Sequence, residues 1–240
     1  MQRCQDPILP FVLTGTIIPN ASPTAHSNIQ QRLNEYIRAI NYYLVFGPVY
    51  FIENSSYPVL EDSFFTSTPG LRTFQYPKSN GVIQGKGYQE FEMLDAFVTN
   101  HLRENAFIKI TGRYLYKNIG DIIPGMAKQL PKAEIVIDLK FMKKMAIVSL
   151  FAVTKFFYMR HLMGAYKEMY DPQNRWAEYV VYSRVKQTPS GIFLLPAPAL
   201  QAVTSSMAET VDMPSTGLNP WLRNIKRHLF SAMGMRELLF

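Results

Sequence analysis

Two short apolar runs in this chain end in clusters of small hydrogen-bonding residues. VLTGTIIPN (12–20) supplies Thr14, Gly15 and Thr16, and VYFIENSSYP (49–58) supplies Glu53, Asn54 and Ser55. Hydroxyl, amide and carboxylate groups at the ends of neighbouring strands can hold a ribose and accept the N–H of a uracil-type ring. The same residue types also build helix N-caps and turns, and that reading of Glu53-Asn54-Ser55 stays open. A third cluster, GVIQGKGYQE (81–90), places Lys86 and Gly87 just ahead of a helix. Its glycines permit close backbone approach to phosphate or sugar, and a helix N-terminus favours anions. A solvent-exposed loop is the alternative there, and Glu90 in the helix's first turn suits the dipole without further purpose. Neither a Walker loop nor GxGxxG is present.

These clusters need elements to hold them. Ile29, Leu33, Tyr36, Ile37, Ile40, Tyr43 and Leu44 recur at helical spacing, with Arg32, Glu35 and Arg38 between them on the expected outer side. A strand, a crossover helix and a second strand form a parallel, right-handed βαβ unit, whose ligands belong at the carboxyl ends of the strands. Further strands are expected at LRTFQYP (71–77), FIKITGRY (107–114), AEIVIDL (133–139), MAIVSLFAV (145–153) and GIFLLPAP (191–198). Helices are expected near 88–102, 118–130 and 175–187, with helical spacing over 155–170. The alternation predicts an α/β fold, an open and mostly parallel sheet flanked by helices. Residues 1–200 form the expected domain, and 201–240 a linker followed by a basic amphipathic helix beginning near Asn219 and Pro220.

With 240 residues, 48% of them hydrophobic, the chain can bury a large core. A net charge of +7 and a pI near 9.4 favour anionic partners without choosing among them. Cys4 is the single cysteine, so no intrachain disulfide or cysteine metal cluster can form. The four histidines are scattered and lack metal-ligand spacing. No signal peptide is read at the N-terminus, and the longest apolar run, 145–153, is about half the roughly 20 residues of a membrane span.

The ordered pattern TGTIIP, FIENSS, GKGYQE, K-x-TGRY resembles bacterial glycosyltransferases that build capsule and lipopolysaccharide O-antigen, over residues 12 to about 186. GKGYQE followed by KITGRY is its most specific part. The resemblance implies a GT-A-like fold and transfer of a hexosyl group from a nucleotide-sugar, UDP-linked, to a hydroxyl of a growing surface polysaccharide or lipid-linked acceptor. It implies that Thr14, Gly15, Thr16, Glu53, Asn54 and Ser55 face the nucleoside, and that Lys86, Gly87, Lys109, Thr111 and Arg113 face the phosphates or donor sugar. Such enzymes carry Asp-x-Asp at the end of the fourth strand for a divalent metal. FIKITGRY has no carboxylate pair, so no metal ligand set and no cofactor are expected, with Lys109 or Arg113 as a direct cationic clamp. Mn or Mg remains the alternative, with Asp138 the other acidic candidate although a lone carboxylate is a poor magnesium site. The catalytic candidates are Glu178, where the family pattern places the general base, and Asp138; Asp171 and Glu168 are rivals to Glu178, and a first-turn dipole partner is its bland reading.

The C-terminal segment combines Trp221, Leu222, Ile225, Leu229, Phe230 and Met233 with Arg223, Lys226, Arg227 and His228. It can lie on an anionic membrane surface, or dock on the core or on a second copy. A cytoplasmic enzyme, peripheral on the inner membrane, follows from the first option. The rivals are a sugar nucleotidyltransferase, which would need a glycine-rich basic loop after the first strand, and a basic nucleic-acid-binding protein stacking bases on its 14 tyrosines and 16 phenylalanines. The aromatics sit at core spacing within apolar runs, so no nucleic-acid partner is expected.

Overall fold

The computed structural model describes residues 9–19, 26–188, 194–203, 210–213 and 218–232. Its centre is a six-stranded sheet formed by β1 (Phe11–Gly15), β2 (Val49–Glu53), β3 (Leu71–Gln75), β4 (Ala106–Thr111), β6 (Ile135–Lys140) and β7 (Met145–Thr154). A short β5 (Leu115–Tyr116) lies outside it. The strand order is β3-β2-β1-β4-β7-β6. β3, β2, β1 and β4 are mutually parallel, while β7 runs antiparallel to both β4 and β6. The expected α/β class with a mostly parallel sheet is therefore what the chain forms.

Side-chain alternation assigns each strand residue to one of two cores. Phe11, Leu13, Val49 and Phe51 point to the face covered by α1 (Ile29–Leu44), α2 (Ser63–Ser67) and α4 (Ile119–Ala133). Val12, Tyr50, Ile52 and Phe107 point to the other face, beneath α3 (Lys86–Asn100), α5 (Lys155–Phe157) and α6 (Ala177–Val185). α1 starts where Asn28 caps it, its side chain accepting from Gln31 N at 2.9 Å. Leu33, Tyr36, Ile40 and Tyr43 are buried as expected and Ala39 joins them, but Ile29 at the helix start is exposed and Arg32 is buried as well. That position departs from the expected outer face, and the reason lies in the site below.

Chain continuity determines where a ligand can enter. β1, β2 and β3 advance towards one edge, and the chain then crosses back to add β4 on the other side of β1. The carboxyl ends of β1 and β4 thus flank the switch point where open α/β sheets receive ligands. Thr14 pairs with Thr111 in that register. Gly112 N donates to Thr14 O at 2.9 Å, and a Cβ on Gly112 would come within 2.6 Å of that oxygen. Only glycine allows the two strand ends to stay this close.

Two expectations shift in the last third. Residues 155–170 are broken rather than continuous: α5 passes into a π-helical turn (Tyr158–Leu162), Gly164 adopts φ +74°, and a 3₁₀ turn (Ala165–Glu168) follows. The strand expected at 191–198 does not form at Leu194–Ala199, and 191–193 lie outside the described residues. Pro196 and Pro198 lack the N–H a ladder needs. β8 (Leu200–Val203) begins just past them and joins β5 and β9 (Thr210–Asp212) in a small antiparallel sheet. Part of the expected linker is therefore sheet, and α7 (Leu218–Ala232) follows it.

Candidate active site

The fourth strand carries a lysine in an apolar run, and a buried ammonium must find acceptors. Lys109 is 0% exposed, and its Nζ reaches Glu90 Oε1 at 2.7 Å, Val148 O at 2.8 Å and Thr111 Oγ1 at 3.2 Å. Those three contacts use its three N–H groups. Lys109 therefore cannot touch a phosphate, contrary to the clamp role expected of it. It instead holds Glu90, whose Oε1 also accepts Thr14 Oγ1 at 2.5 Å and Thr111 Oγ1 at 3.3 Å. Glu90, one turn into α3, is thereby set over the β1–β4 switch point.

Glu178 stands beside this group at the start of α6. Burial holds its carboxyl above the ordinary glutamate range, the charges of Glu90 and Asp171 add to the shift, and Lys109 opposes it. Its two rivals are otherwise engaged. Asp171 accepts from Lys86 N at 3.3 Å at the head of α3, and Glu168 pairs with Arg184 at 2.5 Å. The Asp171 contact also revises the reading of the glycine loop. Gly85, at φ +106°, leaves room for the Asp171 carboxylate where a Cβ would otherwise sit, so the chain's own anion caps this helix N-terminus. A Cβ on Gly87 would press on Ala177 Cβ at 2.8 Å, so Gly87 lets α3 and α6 pack closely.

Cations gather on the neighbouring side. Burial lowers the Lys86 pKa, and the nearby charges of Arg32 and Arg113 lower it further. Arg32 is buried because it braces the loop after β1, donating to Thr16 O, to Ile17 O at 3.0 Å and to His26 O at 3.2 Å. Arg113 donates to Glu35 Oε2 at 2.7 Å and to Val203 O at 3.2 Å. Burial raises the Tyr114 phenol, the Arg113 charge lowers it, and Glu90 and Glu178 raise it further.

The strand-end cluster of β2 works as a frame. Glu53 is 0% exposed, and its carboxylate accepts from Ile17 N at 2.9 Å, Ser55 N at 2.8 Å and the Ser55 hydroxyl. Burial raises its pKa while these bonds pull it back down. Asn54 joins Thr16 Oγ1 at 2.7 Å to Gln89 O at 3.2 Å, and Ser55 Oγ accepts from Ile18 N at 3.1 Å. Gly15 admits the Phe51 ring, which would lie 2.5 Å from a Cβ. Gly15, Glu53, Asn54 and Ser55 therefore shape the loop that carries Thr16, with their polar groups committed to the protein rather than to a nucleoside.

Asp138 does not belong to this group. Both its oxygens bind the Arg227 guanidinium of α7, at 2.9 and 2.8 Å, and Oδ1 also accepts from Leu194 N at 2.8 Å. It sits on the opposite edge strand, two strands from β4. The catalytic role expected of it is thus replaced by the docking of α7. Asp138→Asn is expected to lower thermal stability without disturbing the β1–β4 site, checked by a melting curve.

The end of β4 itself contributes Thr111, Gly112 and Arg113 and no carboxylate; the carboxylate that reaches Thr111 there is Glu90 of α3, which is bound to Lys109. Among the described residues, no group of three or more His, Cys, Asp or Glu side chains is placed to hold a metal ion. Glu90 and Arg32 are the site residues that sequence reasoning passed over. The signal for Glu90 was Lys109, a lone cation in FIKIT that had to have a carboxylate partner.

No family model matches the chain, and no curated protein matches it either. Among solved structures it is similar to the glycosyltransferase GlyE of Streptococcus pneumoniae TIGR4, with a TM-score of 0.49 and 8% identity over 76% of this chain. This chain spans 44% of the GlyE chain. It is also similar to HddC from Yersinia pseudotuberculosis, with a TM-score of 0.37 and 10% identity, covering 62% of this chain and 77% of that one. At these levels of similarity, function has to be read from the residues.

Proposed function

We propose that the chain is a nucleotide-sugar glycosyltransferase that moves a hexosyl group from a UDP-linked donor to a hydroxyl of a surface glycan. The observation that carries this reading is the division of charge at the β1–β4 switch point. Lys86, Arg32 and Arg113 lie on one side, where Asp171 caps the helix that carries Lys86, and Glu178 lies near Glu90 on the other, where Lys109 is bound to Glu90. Glycosyl transfer from a nucleoside diphosphate requires both halves: cations for the leaving diphosphate and a carboxylate base for the acceptor.

In this reading the donor diphosphate lies towards Lys86 and Arg113. The acceptor oxygen bonds to the anomeric carbon as the carbon–oxygen bond to the diphosphate breaks. The acceptor's proton passes to the Glu178 carboxylate, and the departing negative charge is met by Lys86. Its raised pKa makes Glu178 a stronger base than an ordinary glutamate, and this direct displacement inverts the anomeric centre. Glu90, clamped by Lys109, positions the donor sugar over Thr14 and Thr111. No metal enters these steps.

A groove of about 610 Å³ lies between α1 and the β8–β9 sheet, on the Arg113 side of the site, lined by Asn28, Gln31, Asn34, Glu35, Arg38 and Gln201. Amide and carboxylate groups of this kind match the hydroxyl pattern of a saccharide. Glu35 connects the groove to Arg113. Incubation with UDP-, GDP- and CMP-linked sugars, following nucleotide release, tests the donor class. Release from UDP-sugars that saponified surface glycan stimulates is the expected result. Equal inertness towards every nucleotide-sugar, with and without glycan, contradicts the proposal.

A further inference from the structure

α7 is mounted in the reverse sense to an ordinary surface helix. Its described contacts with the domain are polar. Arg227 binds both oxygens of Asp138 and donates to Leu194 O at 2.8 Å, and Asn224 Oδ1 accepts from Ala197 N at 2.6 Å. Trp221, Leu222, Ile225 and Leu229 share another face at helical spacing, and they are 57%, 49%, 36% and 56% exposed. An amphipathic helix in a globular domain normally turns such a stripe inward. Here the Asp138–Arg227 pair fixes the helix's rotation so that the stripe faces away from the protein.

We propose that α7 is an in-plane anchor whose apolar face enters the surface of an anionic phospholipid bilayer. Charge selects this occupant. Apart from Arg227, which is paired with Asp138, α7 contains Arg223, Lys226 and His228 and neither Asp nor Glu, and the whole chain carries +7. A basic helix with Trp and Leu on its opposite face sits at the boundary between headgroups and acyl chains. Each basic residue near that surface adds to the attraction of anionic lipid. A second copy is a poorer occupant, because pairing two such helices would bring cations of one sign together. None of the described helices is long and apolar enough to cross a membrane, and α7 at 15 residues is suited to lie flat.

The test is sedimentation of the full chain with vesicles of phosphatidylcholine, with and without phosphatidylglycerol, at physiological salt. A variant carrying Trp221→Ser, Leu222→Ser, Ile225→Ser and Leu229→Ser is compared with the single Trp221→Ser variant. The wild type is expected to sediment only with the phosphatidylglycerol vesicles. The quadruple variant is expected to bind roughly a hundredfold more weakly, and the single variant roughly tenfold, with unchanged melting temperatures. The single variant carries the test should the quadruple one fail to fold. Absence of wild-type binding, equal binding to pure phosphatidylcholine, or a wild-type dimer that the substitutions abolish would each overturn the proposal. None of these readouts depends on transferase activity.

Discussion

Replacing Glu178 by Gln is expected to lower turnover roughly a hundred- to ten-thousandfold, the usual contribution of a positioned general base, while leaving UDP affinity unchanged. The separation follows from the proposed arrangement, in which Glu178 stands with Glu90 while Lys86 is the cation assigned to the diphosphate. Two further signatures distinguish this role from a merely structural one. The wild-type rate should fall on acidification through a pKa above that of an ordinary glutamate, since burial together with the Glu90 and Asp171 charges raises it. The same shift has a stability consequence of definite sign. A folded carboxyl that holds its proton more tightly than the unfolded one stabilises the fold at low pH, and that contribution is lost as pH rises through the folded value. Glu178→Gln should therefore melt higher than wild type at neutral pH, and the difference should vanish in acid. Near-normal turnover in the variant would remove Glu178 from the mechanism.

Lys109→Met should have the largest effect on stability, at about 3–5 kcal/mol, because breaking a buried ion pair strands the partner charge. Lys109 is fully buried, and Glu90 would lose this ammonium partner while remaining beside the half-buried Glu178. The double variant Lys109→Met with Glu90→Gln should recover much of that stability, since no unpaired charge then remains. Its activity should stay low, because Thr14 and Thr111 lose the carboxylate they share. Chemical denaturation of the four corners of this cycle gives the coupling directly. Additive losses would mean that the two residues do not act as a pair.

The fold was legible wherever one face of an element was consistently apolar. The α1 stripe from Leu33 to Tyr43 and the runs at β2, β4 and β7 are of this kind, and they lie where their periodicity placed them. Prediction was weakest where position depends on long-range partners. Arg32 lies one residue from Leu33, on the inward edge of α1, yet a charged side chain reads as solvent-facing until the carbonyls of Thr16, Ile17 and His26 are seen around it. Glu53 and Asn54 were placed correctly at a strand end, but their partners on the β1 loop and α3 are invisible to local spacing. For Asp138, only the docking of α7, far along the chain, shows that the carboxylate is structural. Composition alone hid β8 and β9, since a Ser/Thr/Ala-rich stretch resembles coil until β5 offers it an edge.

The central claim is that the β1–β4 switch point binds a nucleoside diphosphate through side-chain cations. Calorimetric titration of the protein with UDP in the presence of EDTA, and then with manganese in place of EDTA, tests it most directly. Saturable binding in EDTA, weakened by Lys86→Ala and little changed by manganese, is the expected result. Absence of UDP binding under both conditions, followed by the same result with GDP and CMP, would contradict it.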